Sequence, residues 1–141
     1  MIKLTLEQLN ESWRTLESLV SQKMPAGAFR RNIRKIFEQC EPEFLEYQKE
    51  MSSLLVEFSC TPNGNGTWNK PIDEGRRKEF EERFEGLQKT VLEIKGDQIS
   101  ENDFESYGIV LSPVDEIFLS RWLIVQEEFS VEIDQGREMR T

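Results

Sequence analysis

Histidine is absent from this chain of 141 residues. Because imidazole is the commonest general base and the commonest metal ligand, its absence excludes Ser-His-Asp and Cys-His nucleophile systems. The two cysteines, Cys40 and Cys60, have neither zinc-ligand spacing nor the number that a disulfide framework needs. Gly64 and Gly66 are not followed by the Gly-Lys-Ser/Thr of a phosphate-binding loop. We therefore expect a protein that is not an enzyme and has no cofactor or metal.

The chain also lacks long apolar runs and an overall positive charge. It has no apolar stretch of about eighteen residues and no signal-peptide core, so we expect neither membrane insertion nor export. The net charge is −9 and the pI is about 4.7, which argues against general coating of nucleic acid by a basic face. These properties favour a cytoplasmic protein.

Carboxylates, in contrast, are abundant, with 27 Asp and Glu in total. Glu79, Glu81, Glu82 and Glu85 surround Phe80, and a glycosidase-like acid pair or a magnesium site could be built from such residues. Opposite charges also recur four residues apart in this segment, in the pairs Asp73–Arg77, Glu74–Lys78 and Lys78–Glu82. Because this spacing is typical of a solvated helix face, we favour that interpretation over a catalytic one.

One segment reverses the acidic character of the chain. Residues 18–37 contain no Asp or Glu but hold five cations, which we call the basic island: Lys23, Arg30, Arg31, Arg34 and Lys35. The predicted second helix begins near Ala26, so the first two arginines lie just beyond its first turn. Cations there oppose the helix dipole, at a cost of roughly a few tenths of a kcal/mol each. The island is therefore the strongest candidate for a functional surface.

A second basic group, formed by Arg76, Arg77 and Lys78, lies at the predicted start of the third helix. Guanidinium groups beside helix-start amides favour anions, so the two groups could face one anionic ligand or an acidic patch on a partner protein. The alternative is that these cations neutralise acidic residues of a second subunit or of the same chain. The candidates within the chain are Glu38, Glu41, Glu79 and Glu81.

Trp68 is the second unusual feature, because it lies in a polar segment, residues 59–71, that is rich in turn dipeptides. A large aromatic residue in such a place is typical of a binding anchor, and it also fits a lid that packs back onto the helices. The sequence thus predicts the following partner-binding residues: Arg30, Arg31, Arg34, Lys35, Trp68, Arg76, Arg77 and Lys78.

The spacing of apolar residues predicts a bent antiparallel helical hairpin over residues 5–58. Thr5 and Gln8 form a capping-box pair at the start of the first helix, and Pro25 suits the first position of the second. Apolar residues keep three- and four-residue spacing from Phe29 to Phe58. Pro42 interrupts this pattern, so we expect a kink or break near residues 38–41, and the unbroken phase favours a kink.

Shorter elements are predicted to pack against this hairpin. We expect short strands beside the 59–71 turn, a third helix from Asp73, a strand over 90–95 and one helical turn over 100–105. A strand over 109–111 and a last helix from Ser112 that includes Trp122 complete residues 1–125, which we expect to form one domain. Residues 126–141 are predicted to be an edge strand or a partly disordered tail. The predicted fold class is α+β, predominantly helical, with two further helices and a small antiparallel sheet.

Several short motifs, taken in order, resemble an uncharacterised family of short bacteriophage and prophage proteins. They are Leu4-Thr5-Leu6-Glu7-Gln8-Leu9, Lys23-Met24-Pro25, Asn32-Ile33-Arg34-Lys35-Ile36, Glu41-Pro42, Phe80 with its acidic neighbours, and Leu111-Ser112-Pro113 before a Trp-containing helix. Together they span about residues 4–125. The loop after Phe58 departs from the pattern, since it holds Asn-Gly pairs where a more charged turn is usual. The resemblance implies a phage-linked role inside a bacterial cell and no particular site residues.

These observations lead to a functional hypothesis with two alternatives. We expect a non-enzymatic phage or prophage accessory protein that binds a host or phage protein, with inhibition of a host defence factor as the preferred form. The first alternative is a virion assembly chaperone or structural component that forms homo-oligomers. The second is a sponge for an anionic nucleotide, held by the two basic helix starts.

Overall fold

The computed structural model describes residues 1–65, 67–71 and 73–125, and within them the fold is α+β and predominantly helical, as predicted. The helices are α1 (Leu6–Ser21), α2 (Ala28–Glu57), α3 (Glu74–Gln88), α4 (Glu101–Ser106) and α5 (Pro113–Ser120). The strands are β1 (Ile2–Thr5), β2 (Thr61–Pro62), β3 (Trp68–Asn69), β4 (Val91–Ile94), β5 (Ile99–Ser100) and β6 (Ile124–Val125). No helix in these ranges is long and apolar enough to cross a membrane.

The start of α1 is determined by side chains within four residues of it. The Thr5 hydroxyl accepts a hydrogen bond from the Gln8 backbone N–H over 3.1 Å, and the Gln8 side chain accepts one from the Thr5 N–H over 2.9 Å. This reciprocal pair satisfies two amides that a helix start leaves without partners. The capping box predicted from the sequence is therefore confirmed.

The second helix begins later than predicted and does not break. Its first residue is Ala28, with Gly27 as the cap, so Pro25 lies before the helix and not at its first position. The helix continues through Pro42 to Glu57 over 30 residues. A proline removes one backbone hydrogen bond, but Cys40 and Phe44, the buried residues on either side of it, both belong to the main core.

The helices α1 and α2 form the antiparallel hairpin. The Trp13 ring of α1 stacks on two rings of α2, Phe37 at 5.1 Å and Phe44 at 4.4 Å between centroids. Near the end of α1, Val20 lines a cleft with Ile33 from the start of α2. Stacked aromatic pairs of this kind contribute about 0.5–1.5 kcal/mol beyond the area they bury, so Trp13 helps to fix the register of the hairpin.

The strands form three separate pairs. The first joins β1 to β4 in antiparallel register, from Ile2 opposite Ile94 to Thr5 opposite Val91. The strand β4 was predicted, whereas β1 was not. The second pair is the β2–β3 hairpin, also antiparallel, and β5 pairs with β6 in parallel. The sheet structure is therefore not purely antiparallel, because the β5–β6 pair is parallel. This pair was not predicted from the sequence.

Two predictions for the C-terminal part are wrong. Residues 109–111 are not a strand, because the Gln22 side chain takes both the N–H of Val110 (3.2 Å) and its carbonyl (3.0 Å) in place of a neighbouring strand. The last helix ends at Ser120, so Trp122 lies in a turn and Val125 in β6. A third helix, α4, also joins the two that were expected, since the helical turn near 100–105 extends over six residues. The predicted edge strand and tail, residues 126–141, lie outside the described residues.

Buried apolar side chains form two clusters. The main core joins α1, the first two-thirds of α2, the β1–β4 pair and the elements from β5 onward, and it includes Cys40. A satellite cluster lies where α2 meets α3 and contains Leu54, Leu55, Phe58 and Phe80. The hairpin helix α2 therefore connects two packing centres.

Two amide side chains of α2 hold the loop that follows β4. Asn32 donates to the Asp97 carbonyl (2.8 Å) and accepts from its N–H (2.9 Å). Gln39 bonds Lys95 in the same two-point manner, at 2.6 and 2.9 Å. Gly96 between them has φ of +148°, and a Cβ there would lie 2.8 Å from Ile36 Cγ1. These contacts fix the first turns of α2, which carry four of the five cations of the basic island.

Candidate functional site

Four cations of the basic island lie on the solvent face of α2. Arg30, Arg31, Arg34 and Lys35 are all exposed, whereas Ile33 of the same two turns is 3% exposed. Residues four apart on a helix are separated by one turn, about 6 Å along the axis. The island therefore presents two parallel rows of two cations, on a helix whose other face is anchored in the main core.

The basic island has no acidic partner in the part of the chain that the structure describes. The ion pairs among those residues are Lys3–Glu93, Lys70–Glu81, Arg83–Glu57, Lys89–Glu85 and Arg121–Glu11. None of them involves the island, so within these residues the cations are not neutralised by Glu38 or Glu41, one of the alternatives considered above. Clustered like charges on a helix face destabilise it by roughly 0.2–0.5 kcal/mol per pair at one-turn spacing.

A cleft borders the island. The end of α1 and the segment before α2 form one wall with Gln22 and Lys23, and the first turns of α2 form the other with Arg30, Ile33 and Arg34. The cleft measures about 820 Å³ and is open to solvent. Three cations therefore converge on one concave surface, where the low-dielectric walls strengthen their field.

The second predicted basic group has a different environment. The Arg76 guanidinium donates to the carbonyl of Glu57 (2.8 Å) and lies 4.8 Å above the Phe58 ring, while Arg77 donates to the Pro71 carbonyl (3.1 Å). A cation beside the last carbonyls of α2 is stabilised by the negative end of the helix dipole. Arg76 thus joins α3 to the end of α2, and Arg77 joins α3 to the segment before it. Both contacts are structural uses of the charge.

The structure does not bring the two basic groups together. Arg30 lies near the first residue of α2, and Arg76 is bonded to the carbonyl of Glu57, the last residue of the same helix. These positions are about 40 Å apart along the helix, at 1.5 Å per residue. One nucleotide cannot contact both, so the arrangement expected for a two-ended nucleotide site is absent from the described structure.

Trp68 lies beside a different concave surface, between the β2–β3 hairpin, α2 and α3. Its side chain is 45% exposed and lines a groove of about 1270 Å³ whose apolar walls include Tyr47, Met51, Leu55 and Phe84. Trp68 therefore lines this groove and remains partly open to solvent. Lys78 also lines this groove, so the third member of the second basic group contributes to the Trp68 surface.

Sequence reasoning missed this groove. Its walls come from the last turns of α2 and from α3, which meet through the satellite cluster. Leu54 and Phe58 belong to the apolar stripe predicted for the second helix, and this stripe continues beyond the main core into the satellite cluster. Its partner there, α3, could not be identified from the sequence of α2 alone.

Burial and ion pairing shift the pKa values of several ionisable groups. Burial, and then the nearby Glu43 carboxylate, raise the pKa of Cys40 to about 12. Burial also raises the pKa of Tyr47, although a hydrogen bond with Gln88 opposes this. Both groups are neutral at physiological pH even at their ordinary pKa values, and burial disfavours their ionisation further. No group of three His, Cys, Asp or Glu within the described ranges is arranged to hold a metal ion.

Comparison of the chain with family models, with curated proteins and with solved structures finds no match. Any function must therefore be inferred from the surfaces described above.

Proposed function

We propose that this protein is a non-enzymatic binding protein that uses the basic island to engage an acidic surface of another protein. The observation that carries the proposal is the island's lack of carboxylate partners within the described residues. These charges disfavour helix α2, because they repel one another and oppose the dipole at its start. Carboxylates of a partner protein would offset this repulsion by pairing with the cations.

The surroundings of the island support a protein partner over a nucleic acid. Beyond Lys35, the next exposed charges on α2 are Glu38 and Glu41. The net charge of the chain is −9. A polyanion laid along the helix would meet these carboxylates, whereas a compact acidic patch would meet the island alone. Complementary charge of this kind raises association rates and selects partners.

The resemblance to phage and prophage proteins suggests the biological setting. In that setting the partner is a host or phage protein inside a bacterial cell, and inhibition of a host defence factor is the form we favour. Trp68 lies near the other end of α2, so we assign it to a separate surface and do not include it in the island's binding site.

The test compares a charge reversal in the island with a matched reversal elsewhere. Arg30→Glu with Arg31→Glu should abolish affinity capture of the partner from bacterial lysate, identified by mass spectrometry, and leave the melting temperature nearly unchanged. Arg14→Glu with Lys49→Glu makes the same change in charge at two exposed sites that have no ion pair in the described chain. This control should capture the partner normally.

Three results would displace the proposal. Equal capture by both double variants would show that the island is not the binding surface. A thermal shift with cyclic nucleotides that disappears in the Arg30 and Arg31 variant would favour the nucleotide sponge. Defined homo-oligomers that co-purify with a virion protein would favour the assembly role. Capture should also weaken as salt is added, because the Debye length falls from about 10 Å at an ionic strength of 0.1 M to about 3 Å at 1 M.

A further inference from the structure

A group of exposed apolar side chains lies within eleven residues of the sequence. Tyr107, Val110, Val114 and Ile117 are 39%, 78%, 58% and 54% exposed, and we call them the apolar strip. Single exposed apolar residues are normal on a protein surface, but clusters mark interaction sites. The other large exposed apolar residues in the described chain are spread over the sequence: Met1, Leu45, Val56, Trp68, Val91 and Val125.

The two strip residues on α5 face outward because the opposite side of the helix is fixed. Leu119 is 0% exposed, and Asp115 accepts a hydrogen bond from the buried Thr15 hydroxyl of α1 over 2.8 Å. Val114 and Ile117 are three residues apart and lie on one face. Since α5 is held against α1 in this way, the exposure of that face is a fixed property of the fold.

Two residues of the strip contact neighbours of the island's cations. Gln22, which lines the cleft together with Lys23, Arg30 and Arg34, holds both backbone polar groups of Val110. The Phe29 ring, next to Arg30 in the chain, stacks on Tyr107 with centroids 4.3 Å apart and planes at 13°. Tyr107 and Val110 therefore lie beside the cationic cleft, and Val114 and Ile117 follow them in the chain on α5.

We propose that this composite surface binds an acidic amphipathic segment of the partner protein. Its apolar side chains would cover the strip, and its carboxylates would meet Lys23, Arg30 and Arg34. This inference rests on the proposed function and names the chemistry of the partner. The charge complementarity comes from the cations, which have no carboxylate partner within the described residues. An apolar centre with a charged border is the usual anatomy of a specific interface.

A protein segment fits this surface better than an anionic membrane does. Cations lie beside the strip at the cleft, but α4, whose Phe104 ring packs edge-on against Phe29, brings Glu101, Asp103 and Glu105 just before Tyr107 in the chain. A flat anionic bilayer laid on the strip would meet these carboxylates as well as the cations. A peptide segment can place its own carboxylates toward the cleft alone, so the mixture of charges favours it.

The experiment measures binding of the full-length protein to a defined probe by fluorescence anisotropy. The probe is a synthetic amphipathic helix with Leu on one face and Glu on the other, and its matched control has Gln in place of every Glu. We expect the Glu peptide to bind at least about tenfold more tightly than the Gln peptide. Vesicles of phosphatidylcholine with and without phosphatidylserine are measured in parallel.

Two double variants separate the strip from exposed apolar residues in general. Val114→Gln with Ile117→Gln should weaken binding of the Glu peptide about tenfold, because two apolar contacts are lost. Leu45→Gln with Val56→Gln removes two side chains of similar exposure, 52% and 78%, on α2. This control should stay within about twofold of the unchanged protein. Circular dichroism should show the same melting curve for both variants, since surface substitutions of this kind shift stability by only about 0.5 kcal/mol.

The outcomes distinguish this inference from the proposed function. If Val114→Gln with Ile117→Gln binds the peptide normally, or if the Glu and Gln peptides bind equally, the inference is wrong. Lysate capture that still depends on Arg30 and Arg31 would in that case leave the proposed function standing. Binding to anionic vesicles without binding to the peptide would also overturn the inference, in favour of a membrane surface. Peptide binding that survives Arg30→Glu with Arg34→Glu would count against both proposals.

Discussion

The indole N–H of Trp122 donates a hydrogen bond to the Ser12 hydroxyl oxygen over 3.0 Å, at a site where both side chains are buried. The same hydroxyl donates to the Gln8 carbonyl of α1 over 2.7 Å. The turn after α5 is thus joined to α1 by a polar link inside an apolar core. Buried donors of this kind are costly to leave without a partner.

Replacing Ser12 with Ala should destabilise the protein by about 1–3 kcal/mol, because the Trp122 N–H then has no acceptor. The higher helix propensity of Ala offsets only about 0.5 kcal/mol of this loss. Urea unfolding followed by circular dichroism measures the change. Ser18→Ala, at an exposed position of the same helix, is the control and should be neutral or slightly stabilising. Equal midpoints for the two variants would mean that the buried hydrogen bond contributes nothing.

Two glycines should respond to alanine with opposite signs. Gly96 has φ of +148°, and an added Cβ would lie 2.8 Å from Ile36 Cγ1, so Gly96→Ala combines backbone strain with a core clash. Gly86 lies within α3, and a Cβ there meets nothing within 4 Å. We expect Gly96→Ala to cost about 1–3 kcal/mol and Gly86→Ala to add about 0.5–1 kcal/mol. Thermal unfolding of the two proteins side by side tests the sign.

Acid should weaken the junction between α2 and α3. A hydrogen bond from Arg83 lowers the pKa of Glu57 below its ordinary value of 4.5, and one from Lys70 lowers the pKa of Glu81. A carboxylate whose pKa is lower in the folded state stabilises the protein fully above its unfolded pKa, and this contribution is lost as the pH falls through the folded pKa. Stability should therefore decrease as the pH falls below about 5.

The measurement is the urea midpoint at several pH values between about 6 and 3. Glu57→Gln should lower the midpoint at neutral pH and flatten its decline in acid, because the group that titrates has been removed. Glu46→Gln, exposed on the same helix and without an ion pair in the described residues, should follow the unchanged protein. A parallel decline in all three proteins would show that the Glu57–Arg83 pair does not contribute to acid sensitivity.

The two thiols should differ in reactivity. Cys40 is 0% exposed and its pKa is raised to about 12, whereas Cys60 is only half-buried at the start of the β2–β3 hairpin. Because the thiolate is the nucleophile, a disulfide reagent at about pH 8 should modify Cys60 and leave Cys40 intact until denaturant is added. In Cys60→Ser the native protein should show no fast-reacting thiol. Fast modification of Cys40 in that variant would contradict the burial seen here.

The elements that could be predicted from sequence are those whose signals are local. The starts of α1, α3 and α5 depend on caps at Thr5, Asp73 and Ser112, each of which accepts a hydrogen bond from an amide three residues away. The strands β1 and β6 escaped prediction because their partners are distant in sequence, as when Ile2 pairs with Ile94 and Ile124 with Ile99. Strand pairing is decided by which segments the helices bring together, and a short apolar run does not contain that information.

The candidate site was predictable to a similar extent. The basic island could be recognised from the sequence, because residues 18–37 contain five cations and no Asp or Glu. Charged side chains are usually exposed, so the exposure of those on α2 could also be predicted. The different environment of Arg76 and Arg77 could not be predicted, because their acceptors are the backbone carbonyls of Glu57 and Pro71, which have no sequence signature. The apolar strip was obscured because residues 109–111 have the composition of a strand, and only the fold shows that Gln22 takes the place of a neighbouring strand.

The division of the interior into two clusters has a consequence for how the molecule opens. The satellite cluster contains few buried side chains. The ion pairs Arg83–Glu57, which joins α3 to α2, and Lys70–Glu81, which joins α3 to the segment before it, are exposed to solvent. Amide protons in the last turns of α2 and in α3 should therefore exchange with deuterium through a subglobal event of lower free energy than complete unfolding. The end that carries the basic island would remain folded during such an event, so the two ends of one helix would have separate lifetimes.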